Sequence, residues 1–320
     1  MASNINIGKI LRFPERIIPG GQYFHHPITA DVFLTNYCNN NCPLCTYRRW
    51  ELDDGATYVP YQDFVSYASR LMQLGVRGII LTGGGEPTLN KDFKKIVNWL
   101  QLQGISYGIN TNFNKLFYFS PNYLKVSLDA WDEDTYHKKR GVRNYQLTRD
   151  NIVQYDKWRK AIGSKTTLGI QSIPFSVSDV YNFYEANADL PVDYIAIRPV
   201  ESTAGQYYKD HQDAKDIVTA IEEIASKDSR VVKNFKWNYI SHVETECSAF
   251  WAQIALNEKG EVMYCCHKPY QIIGHVMDDD ILEKKEKAVT NMSMCDIPCR
   301  LTAPNLEIRN FKNQNDIYFI

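Results

Sequence analysis

From Ala30 to Pro199 short apolar runs alternate with longer amphipathic stretches, and this rhythm restricts the chain to repeated strand–helix units around a parallel sheet. Six strands are predicted, at Ala30–Thr35, Gly78–Thr82, Ser106–Asn110, Tyr123–Leu128, Thr167–Ile173 and Tyr194–Pro199. Helical stretches fall near Tyr61–Gln73, Lys91–Gln103, Tyr145–Lys160, Val180–Glu185 and Ala214–Ala225. The fold class is therefore α/β, a partial (β/α)6 barrel or open doubly wound sheet. After about Val231 the rhythm stops, and WAQIALN and EVMYC, joined by Glu258, Lys259 and Gly260, read as a small hairpin. The expected organisation is an N-terminal extension at 1–28, a barrel at 29–230 and a small C-terminal domain at 231–320.

In parallel-strand folds the chemistry gathers in loops after the carboxyl ends of the strands. Here CNNNCPLC follows the first strand, TGGGEP ends the second, NTNFN the third and SLDAW the fourth. The eight cysteines are divided between two places: Cys38, Cys42 and Cys45 in the first loop, and Cys247, Cys265, Cys266, Cys295 and Cys299 in the last quarter. Clustered cysteines in a chain of this size point to metal or catalysis and not to a disulfide scaffold. The opening MASNINIGKILRFPERIIPGG has no apolar core of signal-peptide length and no later run approaches a membrane span, so the reading is cytoplasmic, with no membrane partner. A net charge of −1, with Lys and Arg in no long block, gives no basic surface for nucleic acid.

Three thiolates separated by three and then two residues can hold one face of a cubane cluster and leave the fourth iron open to a substrate or cofactor. The spacing alone leaves zinc open, although structural zinc prefers four protein ligands. Gly83, Gly84 and Gly85 let the backbone approach a ligand closely, or else simply turn the chain from strand to helix.

CNNNCPLC after a first strand, followed by GGGEP at the end of the second, resembles the radical S-adenosylmethionine (SAM) superfamily. The resemblance implies that Cys38, Cys42 and Cys45 bind a 4Fe-4S cluster whose unique iron is chelated by the amine and carboxylate of SAM. Relatives often have an aromatic residue before the third cysteine, where this chain has Leu44, which keeps apolar bulk. The likeness carries SAM contacts over to Gly84, Gly85 and Glu86, to Asn110 and Asn112, and to Ser127 and Asp129. Arg140, in KKRG, resembles the basic residue that pairs with the cofactor carboxylate, and Lys139 and Arg143 are alternatives. A flavodoxin- or ferredoxin-type electron donor is also implied.

The later cysteines resemble the auxiliary-cluster modules of the same superfamily, called twitch or SPASM domains. Cys247, Cys265, Cys295 and Cys299 would saturate a second 4Fe-4S cluster, which points to the shorter, twitch-type module; a four-cysteine zinc staple is the alternative. Cys266 is then left over, either a buried small hydrophobe or a thiol that donates a hydrogen atom to a substrate radical, and it also competes with Cys265 as ligand. The seven histidines, His267 included, suggest structural or solvent roles, whereas Arg198 in IAIRP can anchor an anionic or hydroxylated substrate.

The function so implied is hydrogen-atom abstraction from a small polar metabolite such as a sugar, aminocyclitol or nucleoside, giving dehydrogenation or epimerisation. A maturase of a ribosomally made peptide is the alternative; such enzymes often carry a leader-binding module, and about thirty residues precede the first strand here. A zinc-stabilised binding protein without catalysis is the third reading. The GTP cyclase of the molybdenum-cofactor pathway is set lower, because its second cluster has three protein ligands and its tail ends in glycines, where this chain has four cysteines and DIYFI.

Overall fold

The computed structural model describes residues 12–16, 21–45, 47, 55–200, 211–239, 247, 249–289, 299 and 301–313. The six predicted strands form as β1 (Thr29–Phe33), β2 (Gly78–Thr82), β3 (Ser106–Thr111), β4 (Tyr123–Ser127), β5 (Thr167–Ser172) and β6 (Tyr194–Ile197), each parallel to the next. Among the described residues the helices of the barrel are α1 (Tyr61–Gln73), α2 (Phe93–Leu102), α3 (Glu133–Arg140), α4 (Tyr145–Ala161), α5 (Val177–Asn187) and α6 (His211–Lys227).

Period-two and period-3.6 patterns meet in the core. Phe64, Ala68 and Leu71 of α1 and Ile96, Val97 and Leu100 of α2 pack on the strand residues whose side chains turn outward, such as Ala30, Val32, Ile79 and Leu81. The alternate strand residues turn inward. Two glycines make room there: a Cβ on Gly108 would stand 2.1 Å from the Tyr123 ring, and one on Gly169 2.1 Å from the Tyr194 ring. Above these rings the inward positions are polar, with Asp31, Asn110, Lys125, Ser127 and Gln171 lining a cavity.

Two features depart from the sequence reading. The parallel rhythm runs one strand further, because β7 (Val231–Lys233) pairs parallel with β6. Helix α3 was not foreseen, since only Tyr136 on it is buried; it is fixed at its ends by the Asp132–Thr135 capping box and by Gly141 in the left-handed conformation (φ 75°).

The predicted hairpin is present as β8 (Gln253–Leu256) and β9 (Glu261–Cys265), antiparallel, with Gly260 at φ 78° in the turn. It does not stand apart from the barrel: β8 pairs parallel with β1, so β10 (Lys268–His275), β9 and β8 continue the sheet in the order β10-β9-β8-β1-β2-β3-β4-β5-β6-β7. Helices α7 (Ile281–Val289) and α8 (Thr302–Asn313) follow. Among the described residues no helix is long and apolar enough to cross a membrane.

Candidate functional site

The loops at the carboxyl ends of the strands enclose a cavity of about 480 Å³. Cys38, Cys42, Cys45, Gly84, Gly85, Glu86, Asn110, Asn112, Ser127, Asp129, Arg140 and Cys266 all line it, so the fold gathers these sequence-predicted residues into one wall system. Leu44 lines it too.

The cysteine loop is tied down by the neighbouring strand ends. The Gly85 amide donates to the Thr35 carbonyl at 2.9 Å and the Glu86 amide to that of Tyr37 at 2.8 Å. A Cβ on Gly85 would fall 1.9 Å from the Tyr37 oxygen, so only glycine permits this approach. Asn112 Nδ2 donates to Asn39 Oδ1 at 2.7 Å, and Asn114 Nδ2 to Asn40 Oδ1 at 2.7 Å. The NTNFN motif thus clamps the loop from β3.

Glu86 is the buried knot of this arrangement. Its carboxylate accepts from Thr88 Oγ1 at 2.7 Å, the Thr88 amide at 3.2 Å, Thr111 Oγ1 at 2.6 Å and the Asn112 amide at 2.7 Å. Burial pushes its pKa above the ordinary carboxylate value, and these donors pull it back. Both oxygens are therefore engaged within the chain, and Glu86 joins the ends of β2 and β3.

The opposite side is held by Arg140. One guanidinium nitrogen donates to Asp129 Oδ2, a second lies 3.7 Å from Cys42 Sγ, and the Arg140 carbonyl accepts from the Asn41 amide at 2.9 Å. Burial works against the Arg140 charge, but Asp129 and Cys42 outweigh it and hold its pKa above the ordinary value. Asp129 sits at φ 56°, a left-handed conformation that Asp tolerates better than most residues. Two acceptors on the lining, Asn110 Oδ1 and Asp129 Oδ1, are buried without a hydrogen-bond partner among the described residues, as is the Arg140 Nε donor. Buried acceptors of this kind suit a ligand carrying hydroxyl or ammonium groups.

Gly141 offers a direct check on this side. A Cβ there would meet the Asn41 carbonyl at 2.3 Å, and the φ of 75° is itself unfavourable for Ala. Gly141→Ala is expected to lower stability by about 1–2 kcal/mol, read as a drop in thermal midpoint.

The later cysteines lie near the hairpin. Cys247 Sγ accepts from Asn305 Nδ2 at 3.5 Å, while Asn305 Oδ1 accepts from the Ala249 amide at 2.5 Å; this buried asparagine thereby joins α8 to the Cys247 segment. Cys265 has its pKa pushed up to about 12 by burial and by the neighbouring Cys266. For Cys299 burial acts in the same direction, but the His267 ring and the Leu301 amide bring it down to about 7. Cys266 faces the cavity and Cys265 does not. The Tyr47 hydroxyl donates to the Cys266 carbonyl at 2.8 Å, linking the two cysteine regions. Cys295 lies outside the described residues.

Sequence reasoning missed several participants. His267 lines the cavity and its side chain hydrogen-bonds Cys266 and Cys299. Lys285, fully buried, donates to the Phe250 carbonyl at 2.6 Å and stands 3.9 Å from the centre of the Phe250 ring, with burial lowering its pKa to about 7. Lys125 and Lys236 also line the cavity. Each is a single residue without a motif around it; the adjacency of His267 to two cysteines was the one available clue.

Among the described residues no three His, Cys, Asp or Glu side chains converge as they would on a single metal ion.

The parallel sheet carries a three-cysteine loop after its first strand and a glycine loop after its second, and both loops line the cavity at the carboxyl ends of the strands. Residues 32–170, somewhat under half of the chain, match the sequence model of the Radical SAM superfamily, so the chain carries a radical SAM domain. It is 26% identical over 230 residues to a probable GTP 3',8-cyclase of Saccharolobus islandicus, covering 65% of this chain and 69% of that one. In structure it is similar to SuiB of Streptococcus suis bound to the precursor peptide SuiA, with a TM-score of 0.62 and 14% identity over 87% of this chain and 68% of that one. It is equally similar to anSMEcpe with bound AdoMet, with a TM-score of 0.62 and 13% identity over 82% and 83% of the two chains. At these identities the structural likeness establishes the partial barrel fold.

Proposed function

We propose that residues 29–230 form a SAM-cleaving barrel, that residues 231–320 form a twitch-type module, and that the chain abstracts a hydrogen atom from a small polar substrate. The observation that carries this reading is the convergence of Cys38, Cys42 and Cys45 with the unpartnered acceptors of Asn110 and Asp129 on one cavity. Bound to those three cysteines, a 4Fe-4S cluster with SAM supplies reductive formation of a 5'-deoxyadenosyl radical, given an electron from a flavodoxin- or ferredoxin-type donor. The protein's own part is to place and enclose. Gly84 and Gly85 allow the cofactor's amino-acid part to approach the backbone. Asn110, Asn112, Ser127 and Asp129 accept from, or donate to, its polar groups. Arg140 keeps Asp129 and Cys42 in place and offers its remaining Nε–H. Glu86 acts as a positioning residue, since its oxygens are already engaged.

Cys247, Cys265, Cys295 and Cys299 are assigned to a second 4Fe-4S cluster. Cys265 is preferred to Cys266 as ligand because Cys266 faces the cavity, where a thiol can return a hydrogen atom to a substrate radical. Return of a hydrogen atom by the Cys266 thiol would give epimerisation, the thiyl radical being restored by an electron from the donor and a proton; a cluster held by the later cysteines would instead serve as acceptor for the substrate radical's electron, with loss of a proton, giving an oxidised product. The small-metabolite reading is also supported by the relatives named as cyclases of GTP.

The test is anaerobic reconstitution followed by turnover with reductant, SAM and candidate substrates in deuterated water. Formation of 5'-deoxyadenosine is expected. Deuterium in the product supports inversion, and a loss of two hydrogens supports oxidation. For inversion, Cys266→Ala is expected to stop deuterium incorporation while 5'-deoxyadenosine still forms; unchanged incorporation would remove the thiol from the mechanism.

A further inference from the structure

Helix α7, ILEKKEKAV, carries Lys284, Lys285 and Lys287, and two of them pair as surface charges do. Lys284 meets Asp278 at 2.9 Å and Lys287 meets Glu283 at 2.5 Å. Lys285 differs. It falls one helical turn after the buried Ile281, on the face that α7 turns to the interior, and is 2% exposed. Its ammonium donates to the Phe250 carbonyl at 2.6 Å and stands 3.9 Å from the centre of the Phe250 ring. Among the described residues no carboxylate pairs with it. A cation taken out of water in this way calls for an anion close by.

Two arms of the second cysteine set close on this ammonium. The Phe250 amide donates to the Cys247 carbonyl at 3.4 Å, which fixes Phe250 to one arm. The Phe250 ring also stacks on Tyr264, with centroids 4.4 Å apart, and Tyr264 directly precedes Cys265 in β9. Burial works against the charge of Lys285, and Cys247 and Cys265 work in its favour. Thiols give that support only as thiolates, the form in which they hold metal.

Resting on the assignment of a second 4Fe-4S cluster to Cys247, Cys265, Cys295 and Cys299, we infer that Lys285 is the buried counter-charge of that cluster and raises its reduction potential. Four thiolates make such a cluster a net anion, and an added electron makes it more so. A fixed positive charge nearby stabilises the more negative state, and in a buried setting salt screens it little. Loss of the charge should therefore weaken the reduction equilibrium by about tenfold or more, which is about 59 mV or more for one electron. Lys285 is not part of the cavity lining, so it acts through the cluster, as a positioning residue. A more readily reduced cluster favours the oxidised product over inversion.

The experiment is a potentiometric titration of the reconstituted wild-type chain, with and without SAM, followed by electron paramagnetic resonance. Two waves are expected, and the one that SAM leaves unmoved belongs to the second cluster. In Lys285→Met and Lys285→Gln that wave should move to lower potential by the tenfold or more given above, while Lys285→Arg keeps it near the wild type. Gln retains a donor for the Phe250 carbonyl, so its shift reads the charge and not the hydrogen bond, and it carries the test if the Met variant does not fold. Loss of about four irons in both neutral variants but not in Lys285→Arg would also support the counter-charge. An unmoved wave in Lys285→Gln, or an equal shift in Lys285→Arg, would overturn the inference. A wild type with about eight irons and an unmoved wave in the variants loses only the role of Lys285. A wild type with about four irons and no SAM-independent wave loses the second cluster, and the inference with it.

Discussion

Replacing Cys38, Cys42 and Cys45 together with alanine is expected to reduce 5'-deoxyadenosine formation to background and to lower iron from about eight to about four per chain. The three thiols are the cysteines of the first loop, and the loop is held mainly by contacts of Gly85, Glu86, Asn112 and Asn114 that do not involve sulfur; the sulfur contacts are long, Arg140 to Cys42 at 3.7 Å, the Asn40 amide to Cys38 at 3.4 Å and Asn112 Nδ2 to Cys38 at 3.9 Å. The fold should therefore survive the triple change, with an unaltered far-ultraviolet spectrum and a modest shift in thermal midpoint. Cys247, Cys265 and Cys299 are fastened separately, through Asn305, His267 and Leu301, so a cluster held there, as proposed, should remain. Iron analysis and chromatography of the nucleoside on the same preparation decide the matter. If the triple variant still cleaved SAM, the proposed cofactor assignment would be wrong; if it lost all iron, the two cysteine sets would be one site.

Much of this was legible in the sequence because the chemistry lies in contiguous motifs at strand ends. CNNNCPLC, TGGGEP, NTNFN and SLDAW each occupy one loop, and a parallel sheet brings successive loops together whatever the details of packing. Residues that act singly were not legible. Lys125 is one inward position on a strand whose other inward residues are Tyr and Ser, and its place in the cavity depends on register. Asn305 and Lys285 meet Cys247 and Phe250 across 58 and 35 residues, a pairing no local pattern announces. Spacing alone does not tell adjacent Cys265 and Cys266 apart; in the fold Cys265 ends β9 and Cys266 lines the cavity. Helix α3 escaped because its stability rests on caps and charge in place of an apolar stripe, and β7 because three residues are too few to show a period.

Glu86 carries two readings, a cofactor contact from its motif and a structural knot from its hydrogen bonds, and they predict different results. Taken from the sequence, the acid of GGGEP is a contact for the cofactor's amine. In the structure it accepts four hydrogen bonds from its own chain and is 3% exposed. Glu86→Ala would leave the Thr88 and Asn112 amides and two threonine hydroxyls without their acceptor in a buried setting. Each stranded buried donor costs about 1–3 kcal/mol, and partial relaxation of the hydroxyls brings the expected total to roughly 3–5 kcal/mol. For a chain of this size that is a fall in thermal midpoint on the order of 10 °C. Glu86→Gln should fall between wild type and Ala, because the amide keeps one acceptor but turns a donor toward the others. A residue that touched only SAM would behave differently: its replacement would raise the SAM dissociation constant and leave the melting of the cofactor-free protein unchanged. Melting curves without SAM, set beside SAM binding in the same variants, therefore separate the two roles, and a cofactor-free midpoint unmoved by Glu86→Ala would return Glu86 to the cofactor.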